Sequence, residues 1–225
     1  MRLKHVKGAE EIIKSGTHYI EFPKQLKGTW SKTFKNNNPI HIEIGMGKGD
    51  FIVENALKYP NINFIGIEKF DSVIVRAIQK TNELNITNLK LIRMDALEIN
   101  EVFDKEVDII YLNFSDPWPK ERHAKRRLTS PIFLKKYDDI FRKNANIVMK
   151  TDNNPLFDYS LETLAQHGYE MISITRDLYS EDISDNIATE YEKKFVNRGI
   201  KINRFIATKD MDIKKLIQWY ELLKF

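Results

Sequence analysis

The 225-residue sequence contains no cysteine, and this absence excludes several kinds of chemistry. Without thiols the chain can form no disulfide, no cysteine-ligated zinc site and no iron–sulfur cluster, and it has no thiol nucleophile. Long apolar runs are also absent, since the 42% of hydrophobic residues are divided into strand-length segments. A bilayer span needs roughly 20 consecutive apolar residues. The charged start, MRLKHVKGAEEIIK, lacks a signal-peptide core. We therefore expect a cytoplasmic protein without a membrane segment.

The charge balance is basic, with a net charge of +4 and a pI near 9.0. A basic chain suits an anionic partner, but the richness in Lys, Asn and Ile can also arise from genomic base composition, so the position of the charges carries more weight. The length accommodates one α/β domain with a sizeable core. We predict a basic N-terminal arm over residues 1–38 and one domain over residues 39–225.

Apolar runs alternate with amphipathic stretches along this domain, which is the rhythm of βαβ units with parallel strands. Strands are predicted over residues 40–44, 63–68, 89–94, 107–114 and 145–150, and helices over residues 50–59, 72–84 and 155–166. Two further runs, residues 169–175 and 202–208, flank a helix near residues 190–197 and are typical of an antiparallel closing pair. The pattern predicts a Rossmann-like α/β fold: a mostly parallel seven-stranded sheet with helices on both faces and an antiparallel closing strand. Asn154 is the predicted cap of the helix at residues 155–166.

A glycine-rich segment, Glu43-Ile44-Gly45-Met46-Gly47-Lys48-Gly49, follows the first predicted strand and opens a helix. In this context backbone amides can approach a ligand at a helix N-terminus. The third glycine is Gly49, whereas the dinucleotide pattern G-x-G-x-x-G requires it at the position of Asp50. Glu43 also places a negative charge where a pyrophosphate would be repelled. A cofactor with cationic groups and no phosphate, such as S-adenosylmethionine, fits the segment better.

Acidic residues follow successive predicted strands, at Glu43, Glu68, Asp95, Asp116 and Asp152. The carboxyl ends of strands in an open parallel sheet face one crevice, so these acids are expected to meet there. Glu68 is placed to accept bonds from ribose hydroxyls, and Asp95 could receive an adenine amino group. Any single acid after a strand can equally be a turn former or a helix cap. The whole row, together with the loop, favours an S-adenosylmethionine-dependent methyltransferase over a dehydrogenase or a binding-only Rossmann domain.

A second motif, NFSDPWPK at residues 113–120, runs directly into the basic sequence KERHAKRRL. Methyltransferases acting on base amino groups carry a D-P-P-Y-like motif after this strand, and DPWP stands in its place here. A basic run is often only a solvated face. Five cations beside a cofactor crevice instead indicate a surface for a phosphate backbone. These cations are Lys120, Arg122, Lys125, Arg126 and Arg127.

The motifs PIHIEIGMGKGDFI and NFSDPWPKERHAKRRL resemble the bacterial tRNA (guanine-N7-)-methyltransferases. The resemblance covers almost the whole chain and extends to GTWSKTF, to KTDN and to Thr189-Glu190-Tyr191-Glu192. It implies a class I methyltransferase fold and transfer of a methyl group from S-adenosylmethionine to N7 of guanosine 46 in the tRNA variable loop. No metal is implied, and the oligomeric state, monomer or homodimer, stays open.

The resemblance also implies roles for individual residues. The cofactor site would comprise Glu43, Gly45, Gly47, Glu68, Asp95 and Asp116, with Asp116 also the catalytic candidate. The substrate site would comprise Lys120, Asp152, Thr189, Glu190, Tyr191 and Glu192. The RNA-binding segment would comprise Arg122, His123, Ala124, Lys125, Arg126 and Arg127.

Three alternatives stay open at this point. The Thr189-x-x-Glu192 pattern is also a capping box, in which both side chains satisfy free amides at a helix start, and both roles can coexist. The enzyme could methylate another base position, an mRNA cap or a protein. The chain could also be an RNA-binding protein that keeps the fold without activity.

Overall fold

The computed structural model describes residues 8–181 and 186–210; parts of the predicted arm and domain (residues 1–7, 182–185 and 211–225) lie outside them. Eight strands occur in this part of the chain: β1 Tyr19–Ile20, β2 Ile40–Ile44, β3 Asn63–Glu68, β4 Leu89–Arg93, β5 Val107–Asn113, β6 Phe141–Thr151, β7 Glu170–Thr175 and β8 Asn203–Lys209. The helices are α1 Ala9–Lys14, α2 Trp30–Phe34, α3 Asp50–Lys58, α4 Asp71–Thr81, α5 Ile99–Val102, α6 Pro131–Asp138, α7 Asn154–Gln166 and α8 Glu190–Val196. Short 3₁₀ helices cover Pro23–Leu26, Ala96–Glu98 and Glu121–Arg126.

The strands form one sheet in the order β1-β4-β3-β2-β5-β6-β8-β7. All neighbouring strands are parallel except β6–β8 and β7–β8. This confirms the Rossmann-like sheet with its antiparallel closing pair. The sheet has one strand more than predicted, because Tyr19 and Ile20 pair with Leu91 and Ile92 at its edge. Two half-buried residues are too few to show a period in the sequence.

Two further differences from the predicted elements concern helices α6 and α7. α6 was not predicted; it begins with Pro131 at its first position, where the missing amide is not needed. The prediction that Asn154 caps α7 is wrong. The cap is Asn153, whose side chain accepts a hydrogen bond from the amide of Leu156 at 2.8 Å. The side chain of an N-cap residue accepts a hydrogen bond from the backbone amide of the third residue after it. Which of the two asparagines is the cap therefore depends on the residue at which the chain leaves β6.

Hydrophobic clusters cover both faces of the sheet. One lies between the sheet and α2, α5, α6 and α7, and the other between the sheet and α1, α3 and α4. Trp30 is fully buried in the first cluster; its ring stacks on Phe103 and its indole Nε1 donates to the carbonyl of Val102 at 3.0 Å. The aromatic pair Trp30 and Phe34 therefore belongs to the core. The two layers of helices leave the carboxyl ends of the parallel strands open as a crevice.

Candidate active site

The crevice contains a cavity of about 840 Å³ at the carboxyl ends of β2, β3, β4 and β5. Residues from every one of these strand ends line it, together with the start of α6 and part of the basic segment. The lining includes Gly45, Glu68, Asp95, Asp116, Trp118, Lys125, Arg126 and Phe133. Three of the five predicted acids and one predicted glycine thus meet around one cavity, while Glu43, Asp152 and Gly47 do not line it.

The glycine-rich loop has a fixed geometry. Gly45, Gly47 and Gly49 have φ of 76°, 59° and 79°, in the left-handed region that side chains disfavour. Four of its amides are already bonded: those of Gly45 and Met46 donate to the Ile67 carbonyl, that of Gly47 to Glu68, and that of Gly49 to Met46. Because these donors are occupied, the loop has no free row of amides to receive a pyrophosphate. The geometry fits a ligand without phosphate groups.

Glu68 connects this loop to the end of β3. One carboxylate oxygen accepts from the amides of Lys69 and Phe70 at 2.8 and 3.0 Å, and the other accepts from Gly47 at 3.1 Å. Burial raises the pKa of Glu68 above its usual range, against the opposing effect of these three amides. The carboxylate is therefore held in one orientation at the cavity wall, with acceptor capacity left for ligand hydroxyls.

Asp95 lies at the end of β4 and caps the 3₁₀ helix Ala96–Glu98. Its carboxylate accepts from the amide of Leu97 at 3.0 Å and pairs with the Lys69 ammonium at 2.6 Å. Burial acts to raise the pKa of Asp95, but the amide and the ammonium outweigh it and lower the pKa. Asp95 thus presents a negative carboxylate to the cavity. It is a helix cap, as the sequence allowed, and this role is compatible with contact to a ligand.

Glu43 lies on β2 with its carboxyl group fully buried. One oxygen accepts from the side-chain amide of Asn113 at 2.8 Å, while the other has no hydrogen-bond partner among the described residues. Burial raises the pKa of Glu43 to about 8, although the Asn113 hydrogen bond and the Lys150 charge act to lower it. The oxygen of Asn113 is also buried without a partner. Two unpartnered oxygens beside the loop suit a cationic donor such as an ammonium group, whose charge would favour the ionised form of Glu43.

Asp116 differs from the other acids because it is exposed and lies on a loop. No hydrogen bond or ion pair with another described residue holds its carboxylate, although it lies close enough to raise the pKa of Glu68. The loop itself is strained: Phe114 and Trp118 have φ of 51° and 43°, which is costly for aromatic residues. Arg127 holds the loop by donating to the carbonyls of Pro117 and Trp118 at 3.1 and 3.2 Å.

The basic segment forms the 3₁₀ helix Glu121–Arg126, with Lys120 as its exposed N-cap. Lys125 and Arg126 line the cavity, and the Arg126 guanidinium lies 4.8 Å from the centre of the Trp118 ring. Arg122 is exposed, and the His123 ring meets Trp118 edge-on. The Ala124 carbonyl accepts from the Arg127 amide. The six predicted RNA-binding residues therefore divide into an outward set around the cavity mouth and the inward Arg127.

The predicted substrate residues on α8 are also divided. Thr189 and Glu192 form the complete capping box, and Glu192 is wholly buried. Its oxygens accept from Lys150, Tyr179, Asn186 and the Thr189 amide. Glu190 and Tyr191 point outward: Glu190 pairs with Lys48 of the glycine-rich loop at 2.8 Å, and the Tyr191 hydroxyl donates to Asp152 at 3.4 Å.

Three residues near the site were not predicted, namely Lys69, Asn113 and Lys150. Lys69 follows a strand end, where its pairing with Asp95 depends on the neighbouring strand. Asn113 and Lys150 interrupt apolar strand runs, YLNF and ANIVMK, and both are buried. A polar residue inside a strand that is covered on both faces is the signal that could have identified these two.

The described residues contain no helix of the length and apolarity that a bilayer requires, and no group of three or more potential metal ligands. A parallel sheet of this topology, with a bent glycine-rich loop and acids at successive strand ends, defines a methyltransferase of the class I fold. A family model described as putative methyltransferase matches residues 37–205.

Two similar proteins are both named tRNA (guanine-N(7)-)-methyltransferase. The tRNA (guanine-N(7)-)-methyltransferase of Lachnoclostridium phytofermentans is 50% identical over 94% of this chain and 100% of the relative. That of Oceanobacillus iheyensis is 48% identical over 91% and 97%. The chain belongs to the tRNA (guanine-N7-)-methyltransferase family. A solved 16S rRNA (adenine(1408)-N(1))-methyltransferase variant from Catenulisporales acidiphilia, with cosubstrate SAM, shares the fold: the TM-score is 0.55 at 12% identity, over 84% of this chain and 91% of that one.

Proposed function

We propose that this protein transfers a methyl group from S-adenosylmethionine to N7 of guanosine 46 in the variable loop of tRNA, acting in the cytoplasm. One observation carries the proposal: Asp116 lines the same cavity as Lys125 and Arg126, and the basic segment continues outward through exposed Lys120 and Arg122. A small cationic cofactor and a polyanionic substrate would therefore meet at one loop. The relatives that share about half of their residues with this chain carry the same activity in their names.

The described residues fit the proposed cofactor group by group. Glu68, already oriented by three amides, would accept from the ribose hydroxyls, and Asp95 from the adenine amino group. Gly45 and Gly47 would keep the loop close to the ligand. Glu43 and Asn113, with their unpartnered oxygens, would accept from the ammonium of the methionine part. When bound, S-adenosylmethionine supplies an electrophilic methyl group on a positively charged sulfur.

The chemistry of N7 determines what the protein needs to provide. Guanine N7 carries an in-plane lone pair and no proton at neutral pH, so no general base is required. The bond from N7 to the methyl carbon would form as the carbon–sulfur bond breaks, and the positive charge would pass from sulfur to the purine. The protein would act mainly by holding the two reactants in line. The Asp116 carboxylate accelerates the step only if it lies closer to the purine than to the sulfonium, since equal stabilisation of both states leaves the barrier unchanged.

We assign guanine selection to Asp152. Its carboxylate lies at the end of β6 beside exposed Tyr191 and could accept from N1–H and the 2-amino group of guanine, which adenine does not present. Glu192, which the resemblance also places in the substrate site, is fully buried and its oxygens are occupied. The wild type is expected to methylate tRNA with guanosine at the target position faster than tRNA with inosine there, because inosine lacks the 2-amino group. In Asp152→Asn this preference for guanosine should be lost. A preference unchanged in Asp152→Asn would contradict this assignment.

One assay tests the function directly. Unmodified tRNA is incubated with labelled S-adenosylmethionine, and the product is cleaved at N7-methylguanosine by borohydride and aniline. Cleavage at position 46 is expected, and a tRNA with adenosine at that position provides the matched control. Label that enters another nucleotide or a protein would identify a different target. Tight tRNA binding with no label transferred would identify a binding protein without activity.

A further inference from the structure

Helix α8 is fixed to the domain in an unusual way. Its only buried side chain is that of Glu192, which is 0% exposed. The Glu192 carboxylate lies 2.5 Å from the Lys150 ammonium, itself 3% exposed. Surface helices normally bury a hydrophobic stripe and expose their charges. α8 differs, because a buried ion pair and a capping box hold it while Tyr191 is exposed and Phe195 is partly exposed.

The aromatic side chains of α8 form a continuous line that starts at residues 114–118, the loop that carries Asp116 and is called here the active-site loop. The Phe114 ring lies 4.9 Å from the Tyr191 ring, and Tyr191 stacks on Phe195 at 4.1 Å with an interplanar angle of 16°. The Arg198 guanidinium lies 5.7 Å from the Phe195 ring centre. Tyr191 is 42% exposed and Phe195 is partly exposed. The line therefore runs from the reaction site outward along the surface.

Positive charge surrounds the outer end of this line. Lys194 and Arg198 are both exposed and lie four residues apart, where like charges repel each other. Within residues 8–181 and 186–210, no carboxylate forms an ion pair with either side chain, whereas neighbouring Lys193 pairs with Glu54 at 3.3 Å. Uncompensated cations next to partly exposed aromatic rings are the chemistry that binds single-stranded nucleic acid.

We propose that Phe195 and Arg198 form a second RNA-contact surface, on which a nucleobase adjacent to the target guanosine stacks while Lys194 contacts a phosphate. This inference rests on the proposed function. α8 contacts the start of the active-site loop through Phe114, and the basic 3₁₀ helix contacts its end through Trp118. RNA bound at both ends of the loop would be positioned with its target base unstacked and located between the two contact surfaces. Unstacked bases of RNA loops are commonly bound on aromatic rings and arginine planes.

The test uses three substitutions of one residue in the full-length protein. In Phe195→Ala and Phe195→Leu the stacking face is removed, and the Kd for tRNA is expected to rise about 5-fold or more, from the usual contribution of one stacked base. Phe195→Trp keeps a larger stacking face and should bind tRNA at least as tightly as the wild type. The Kd for S-adenosylmethionine should change in none of them, which shows that the crevice is intact. Ile172→Ala, at a side chain 63% exposed on β7, is the apolar control.

A tRNA with 2-aminopurine next to position 46 gives a direct readout, since stacking quenches its fluorescence. The wild type and Phe195→Trp are expected to quench the fluorescence, whereas Phe195→Leu and Arg198→Ala should not. Lys143→Ala, which also removes an exposed cation, is the control and should quench like the wild type. The inference is overturned if Phe195→Leu binds and quenches like the wild type while the wild type forms N7-methylguanosine. If the wild type forms none but the Phe195 variants still lose RNA affinity, the proposed function fails and the RNA surface stands.

Discussion

The Asp116 carboxylate is set apart from its neighbours at the strand ends by the lack of any described group that holds it. Glu68 and Asp95 are fixed by backbone amides, as residues that orient a bound cofactor should be. Asp116 is exposed and lies on a loop that contains two residues with left-handed backbone angles. A carboxylate without protein partners stays available for charge that develops during the reaction.

Replacing Asp116 should therefore reduce turnover more than cofactor binding. In Asp116→Asn we expect kcat to fall on the order of 100-fold, in the range seen when one electrostatic contact to a transition state is removed. The Kd for S-adenosylmethionine, measured by calorimetry, should change much less. A variant that loses cofactor affinity but keeps kcat would show that Asp116 only binds the cofactor.

The pKa of Glu43 predicts how stability depends on pH. Because the pKa is about 8 in the folded protein and 4.5 for an ordinary glutamate, the folded state retains a proton that the unfolded state loses. The stability contributed by this proton is complete below about pH 4.5 and is lost as the pH rises to about 8. Glu43→Gln removes the titration. The melting temperature of the cofactor-free variant, relative to the wild type, should rise between pH 5 and pH 8; a constant difference would contradict the raised pKa.

At the scale of secondary-structure elements, the attachment of α8 gives a prediction about its buried ion pair. Removal of one partner leaves a buried charge unpaired, at a cost of about 3–5 kcal/mol. Lys150→Met alone should therefore lower the free energy of unfolding in urea, and Lys150→Met with Glu192→Leu should recover much of the loss. Recovery of stability in the double variant without recovery of tRNA affinity would show that the pair also positions α8 for its substrate.

The central strands were predictable because apolar residues recur along them. β2 and β3 are buried at all positions, and their observed bounds, Ile40–Ile44 and Asn63–Glu68, are the predicted ones. The shared edge of parallel strands likewise made the meeting of Glu68, Asp95 and Asp116 predictable. Elements that depend on partners distant in sequence were not predictable: β1 exists only because β4 offers a free edge.

The inward residues of the site were hard to predict for the same reason. Nothing in the basic run separates Arg127 from Arg126, yet Arg127 donates to two loop carbonyls and Arg126 lies on the Trp118 ring. Glu192 matches both a substrate motif and a capping box, and only its contact with Lys150 shows that the side chain is enclosed. Direction of a side chain is a tertiary property that local sequence leaves open.

At the scale of the whole molecule, the distribution of charge should appear in the salt dependence of tRNA binding. Each cation that neutralises a phosphate contributes roughly 0.7–0.9 to the slope of log Kd against log salt concentration. The triple variant Arg122→Ala, Lys125→Ala and Arg126→Ala should therefore lower this slope by about 2 to 3. Arg127→Ala removes one further cation of the same segment but should leave the slope nearly unchanged, because this side chain holds the loop carbonyls of Pro117 and Trp118, and it should lower kcat. Equal slopes for the triple variant and the wild type would rule out phosphate contacts by this segment.

The hydrogen bond from the Gly47 amide to Glu68 also has a consequence for the time course of ligand entry. It joins the glycine-rich loop to the end of the next strand through protein atoms alone, so the loop is held in place by the fold itself. Cofactor association should then follow a single exponential whose rate grows linearly with concentration and shows no plateau. Any slow phase in the catalytic cycle would arise from the much larger RNA, which has to distort its own fold before the base can enter.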